Sequence, residues 1–136
     1  MSERTYTPKQ REKPTADLRR EFYATGRGSS GAIRTASEAK DATGLTAVLD
    51  LEVPAGTLWK LQRLLVSGHD DIEFELATGA AGSEAIRWRG DAPTRTAVPV
   101  PLDGFPVPEK EKVIVRMEPK GGTKRVKATL VYEELT

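Results

Sequence analysis

From Thr46 to Tyr132 apolar and polar side chains alternate with a period of two, in short runs separated by glycine and proline. No stretch of that region keeps the three-to-four-residue apolar spacing of a helix of ordinary length. Ala47, Leu49, Leu51 and Val53 fall on one side of an extended chain, with Thr46, Asp50 and Glu52 on the other. Pro54-Ala55-Gly56 then turns the chain into Leu58–Val66, which is apolar on both faces near Leu64-Leu65-Val66 and so belongs in the middle of a sheet. After the turn Ser67-Gly68-His69-Asp70, Ile72, Phe74 and Leu76 alternate with Glu73 and Glu75. Gly79-Ala80-Ala81-Gly82 leads to Ala85–Arg89, where the period places Ile86 and Trp88 inward and Arg87 and Arg89 outward. A Gly90-Asp91 turn precedes Thr94–Val100, and Pro101, Gly104, Pro106 and Pro108 mark a connector. Val113, Val115 and Met117 finally pair across Lys120-Gly121-Gly122-Thr123 with Val126, Ala128, Leu130 and Tyr132. Seven strands at this spacing predict an all-β protein with an antiparallel β-sandwich or jelly-roll-like body, and Ala32–Thr35 offers an eighth strand.

The first 44 residues differ in composition. They hold nine basic and six acidic side chains and only 12 hydrophobic ones, whereas residues 45–136 hold 39 hydrophobic residues and a net charge of −2. So little apolar surface does not offset the entropy of ordering a chain, so residues 1–44 are expected to be an extended arm and 45–136 the folded domain. Within the arm Pro14-Thr15 opens a short helix with Thr15 as N-cap, and Gly26 stops it. The same residues also read as a strand from Arg20 to Thr25. In both readings Leu18, Phe22 and Tyr23 are anchors that need another surface, because a helix this short does not hold itself in water.

Chemistry-bearing residues are few. There is no cysteine and one histidine, His69, which removes thiolate chemistry and makes a histidine-based zinc site or serine–histidine relay very hard to build. The six serines lie in no nucleophile elbow. Gly26-Arg27-Gly28-Ser29-Ser30-Gly31 spells a dinucleotide fingerprint but lacks its strand and helix, and a hinge between arm and body explains it better. Arg89-Gly90-Asp91, an adhesion tripeptide in form, falls where a turn is expected. Glu73 and Glu75 lie about 6.6 Å apart by strand rise, within the range of paired glycosidase carboxylates, but their alternation with Ile72, Phe74 and Leu76 marks a solvated face. His69-Asp70-Asp71 offers too few oxygens for calcium and reads as a turn. Lys120, Lys124, Arg125 and Lys127 crowd the last hairpin without aromatic residues between them. A net charge of +1 points away from a general nucleic-acid binder, and no apolar run nears the roughly 18 residues of a membrane span. Neither a cofactor nor a metal is expected. The absence of asparagine, with two glutamines, fits a thermophile or a GC-rich genome equally.

In layout, the run Ala47–Val53, Pro54-Ala55-Gly56, Leu58–Val66 and Ile72–Leu76, closing with Val113–Met117 and Val126–Tyr132, resembles small virion proteins of tailed bacteriophages. It is most similar to capsid decoration, or cement, proteins. That resemblance implies a homotrimer on the capsid exterior, contacting the major capsid protein and neighbouring copies, with the terminal arm bridging subunits and stabilising the shell. A carbohydrate- or receptor-binding module of a fibre or baseplate is the alternative, and it requires Trp59 or Trp88 to expose a ring on a sheet face.

Replacing Leu18, Phe22 and Tyr23 together by alanine is expected to weaken shell attachment by tens of fold while the β body stays folded. Co-sedimentation with capsids reads the first outcome and circular dichroism the second.

Overall fold

The computed structural model describes residues 31–136, all of them in or between β-strands. Eight antiparallel strands follow one another: β1 (Ala32–Ala42), β2 (Thr46–Glu52), β3 (Leu58–Gly68), β4 (Ile72–Gly79), β5 (Ala85–Ala92), β6 (Val98–Val107), β7 (Lys112–Pro119) and β8 (Lys124–Leu135). They form two four-stranded sheets, ordered β1-β8-β3-β6 and β2-β7-β4-β5. Successive strands thus mostly alternate between sheets, the wiring of an eight-stranded jelly roll. The all-β sandwich expected from the alternation is the fold.

The inward positions of both sheets build one core. Leu61, Leu64 and Val66 of β3 and Val126, Ala128 and Leu130 of β8 face Ile72, Phe74 and Leu76 of β4 and Val113, Val115 and Met117 of β7, and all are buried. Trp59 stacks on Tyr132 with ring centroids 4.0 Å apart. Its indole Nε1 is buried and has no hydrogen-bond partner among the described residues. Burial also raises the Tyr132 hydroxyl above its ordinary pKa.

Four local expectations change, each for an identifiable reason. The stretch read as a proline-rich connector is strand β6, pairing with β3 from Trp59↔Val107 to Val66↔Val98. β6 is an edge strand, where the missing N–H groups of Pro99, Pro101 and Pro106 disrupt no second ladder. The eighth strand extends beyond Thr35 to Ala42, pairing with β8 throughout, so the sheet reaches into the segment that composition assigned to the arm. β1 is a mostly exposed edge strand whose inward side carries Arg34, Glu38 and Lys40, which is why its hydrophobic content is low.

In β5 the register slips between Leu76↔Trp88 and Ala77↔Ile86, so Arg87 is an extra residue. A bulge of this kind reverses the faces on one side of it. Trp88 packs edge-on against Phe105 at 5.2 Å, whereas Ile86, expected inside, is 46% exposed on the outer face. Arg87, expected outside, instead donates from Nε to Thr78 Oγ1 at 2.9 Å and stands 5.6 Å over the Phe105 ring. Finally, Arg89-Gly90-Asp91 lies inside β5 and makes no turn. Gly90 opposes Phe74, and a Cβ there would come within 3.0 Å of that ring. The glycine makes room for an aromatic side chain.

The β3–β4 turn is tied to the loop before β6. Asp71 accepts the Thr94 backbone N–H at 2.8 Å and the Thr94 hydroxyl at 2.7 Å. These hydrogen bonds hold its carboxyl below the ordinary range. A carboxyl with a depressed folded-state pKa stabilises the fold while ionised; that contribution is full above its ordinary value of 3.8 and is lost only as pH falls below it, through the lower folded-state value. Asp71→Asn is therefore expected to lower the melting temperature at pH 7, and by progressively less as the pH is taken below 3.8. Parallel thermal melts across that pH range check this.

Candidate functional site

The two outer faces of the sandwich have different chemistry. On the β2-β7-β4-β5 sheet, the cross-strand row Arg116–Glu75–Arg89 is an ion triad: Arg116 Nη1 lies 2.9 Å from Glu75 Oε2, and Arg89 Nη2 lies 3.4 Å from Oε1. Lys112 meets Asp50 at 2.6 Å, which raises the lysine's pKa, and Lys120 meets Glu73 at 3.5 Å. Glu75, read from the alternation as solvated, is only 7% exposed because both arginines fold across it. Glu73 does remain in solvent. The pair is thus split by environment, and the burial of Glu75 is explained by ion pairing.

The outer face of the β1-β8-β3-β6 sheet has an uncharged middle. Register places Ser37, Thr129, Leu65 and Pro99 in one row across all four strands, and Ser37 and Thr129 share a hydrogen bond of 2.9 Å. The adjoining row is Thr35, Val131, Arg63 and Pro101, with one charge. Ile33, 65% exposed, lies beside them. Interface cores are depleted in charge, and a band of two adjoining rows that carries a single charge, Arg63, in a chain that is 30% charged is therefore the surface best suited to a protein partner.

At one end of this band the face becomes concave. A cleft of about 550 Å³ is bounded by His69, Arg95, Arg125 and Lys127 over small residues that include Ala39 and Ala97. Of the basic residues singled out in the last hairpin, the fold brings Arg125 and Lys127 here. Lys120 is engaged instead with Glu73, and Lys124 is not among the cleft residues. His69 and Arg95 come from the β3–β4 turn and the β5–β6 loop. The sequence gives no local sign that these residues converge, since register alone brings them beside β8. His69-Asp70-Asp71 is a turn, as expected, with Asp71 committed to Thr94. The arm anchors Leu18, Phe22 and Tyr23 lie outside the described residues, as does the glycine hinge up to Ser30. Among the described residues, no group of three histidine, aspartate or glutamate side chains is placed to hold a metal ion.

No family model matches the chain, and no curated protein matches it significantly. Among solved structures, the crystal structure of PirA superposes with a TM-score of 0.39 at 11% identity, covering 79% of this chain and 99% of that one. A likeness this loose bears on neither family nor activity.

Removing the Glu75 carboxylate leaves Arg116, 30% exposed, without its counter-charge. Glu75→Ala is expected to cost about 2 kcal/mol, and Arg89→Ala, at a site 69% exposed, no more than about 0.5 kcal/mol. Urea denaturation of the two variants compares them directly.

Proposed function

We propose that the chain is a structural virion protein of the capsid decoration type, one that docks on the outside of a protein shell and stabilises it without catalysis. The observation that carries this reading is the charge-poor band on the β1-β8-β3-β6 face, in which Arg63 is the one charged residue of two rows, set against an opposite face laced with ion pairs. The opposite face exposes Ile86 beside Ala77 and Ile114, but the Arg116–Glu75–Arg89 triad and the Lys120–Glu73 and Lys112–Asp50 pairs give it the higher density of charge. The jelly-roll wiring adds support by analogy at the level of fold, since that architecture recurs in viral capsid domains. In this reading the band rests on the major capsid protein, the protein acts as a homotrimer, and Leu18, Phe22 and Tyr23 of the arm engage a neighbouring subunit.

The carbohydrate-binding alternative loses its main support. Trp59 is 4% exposed in the core, and Trp88 is half-buried against Phe105. Neither indole offers an open stacking platform on a sheet face, which sugar recognition through aromatic rings needs.

The test is co-sedimentation with shells assembled from the major capsid protein of the same genome. Leu65→Glu combined with Val131→Glu places two charges in the band and is expected to weaken binding more than tenfold, with the fold retained. Asp91→Arg on the opposite face is expected to bind as the unmodified chain does. Failure of the unmodified chain to sediment with shells, or loss of binding through Asp91→Arg alone, would overturn the proposal.

A further inference from the structure

We infer that the cleft bounded by His69, Arg95, Arg125 and Lys127 receives an acidic peptide segment, and, resting on the docking reading above, that this segment belongs to the protein on which the band sits. Three cations face one concavity. Among the described residues only Arg125 has a carboxylate within salt-bridge reach, Asp41 at 3.6 Å. Arg95 and Lys127 have none there, so the cleft carries an excess of positive charge at the end of a band that is otherwise charged only at Arg63.

The backbone around the cleft is fixed independently of any ligand. Arg95 has a φ of 56°, in the left-handed region that a side chain with a Cβ enters at a cost. Its N–H donates to the Gly68 carbonyl at 2.8 Å, Thr96 N–H closes the turn onto Pro93 at 3.2 Å, and His69 N–H donates to the Arg125 carbonyl at 3.0 Å. Glycine suits such a turn position better than arginine does. An arginine held there projects its guanidinium from a pinned turn beside Arg125 and Lys127, where a two-oxygen carboxylate is its natural partner.

The size and lining of the cleft choose among anions. About 550 Å³ is far more than one phosphate fills, and it falls in the range that holds a short peptide stretch or a drug-sized molecule. The residues around it include no aromatic ring to stack a base, which separates it from single-strand nucleic-acid grooves. Small apolar side chains beneath a cationic rim suit a peptide backbone carrying several carboxylates. The cleft also adjoins the docking band, with Ala39 and Lys127 in the cross-strand row next to Ser37 and Thr129.

The test titrates a hexaglutamate peptide into the full chain and follows backbone amide shifts. Shifts are expected at Ser67–His69, Arg95 and Arg125–Lys127, with an affinity that falls as salt rises. Arg95→Gly relieves the left-handed turn, so it should fold at least as well as the unmodified chain. It is nevertheless expected to bind several-fold more weakly, and Arg95→Gly with Lys127→Ser at least tenfold more weakly. Equal binding of hexaglutamine, unchanged binding by the double variant, the same shifts with inorganic phosphate alone, or tighter binding of oligothymidylate would each overturn the inference. Shell binding separates the two proposals. If hexaglutamate fails to bind the cleft while shells still bind, the cleft assignment falls and the docking reading stands. The reverse result removes the shell and keeps the cleft.

Discussion

Everything in this fold hangs on β3. It lies between β8 and β6 in one sheet, and its inward residues Leu61, Leu64 and Val66 are fully buried against the other sheet. Its partners come from far along the chain: Leu64 opposes Leu130 on one side and Val100 on the other. The core therefore does not close until residues on both sides of a long intervening segment have met, an entropic demand that local structure cannot meet early. The doubly apolar stretch Leu64-Leu65-Val66 suits that position. Leu64 and Val66 fill the core, while Leu65 contributes to the charge-poor outer band.

What the sequence made legible follows from this geometry. Where a strand is regular and one face is buried, the period of two names the inward residues, as it does for Val113, Val115 and Met117 or for Ile72, Phe74 and Leu76. It fails where one residue is inserted. At Arg87 the bulge moves Ile86 outward and brings Arg87 over Phe105, and no residue type in Ala85–Arg89 announces it. Proline was read as ending strands, a rule that holds in a sheet interior, but β6 is an edge and tolerates three prolines. Only the first four residues of β1 were legible, because an edge strand needs few apolar side chains and the stretch from Ala36 to Ala42 carries Glu38, Lys40 and Asp41.

The candidate site was legible in part. Arg125 and Lys127 are conspicuous as neighbours in the last hairpin, and alternation places them on one face. Arg95 and His69 join them only through tertiary register, across turns whose hydrogen bonds involve Gly68 and Arg125 backbone groups. The burial of Glu75 was equally hidden, since it depends on Arg116 and Arg89 arriving from two different strands. Charges that pair across strands look, in one dimension, like a solvated face. The charge-poor band is a property of rows across the sheet, and no single strand shows it.

The two edges of the β1-β8-β3-β6 sheet have one more consequence. β6 carries Pro99, Pro101 and Pro106, and β1 has Arg34, Glu38 and Lys40 on its inward side, so neither edge welcomes another strand. A β protein spread in a dense layer would otherwise risk zipping into continuous sheets with its neighbours. Edge-to-edge association through this sheet is thereby disfavoured, and any such pairing falls to β2 and β5, the proline-free edges of the other sheet.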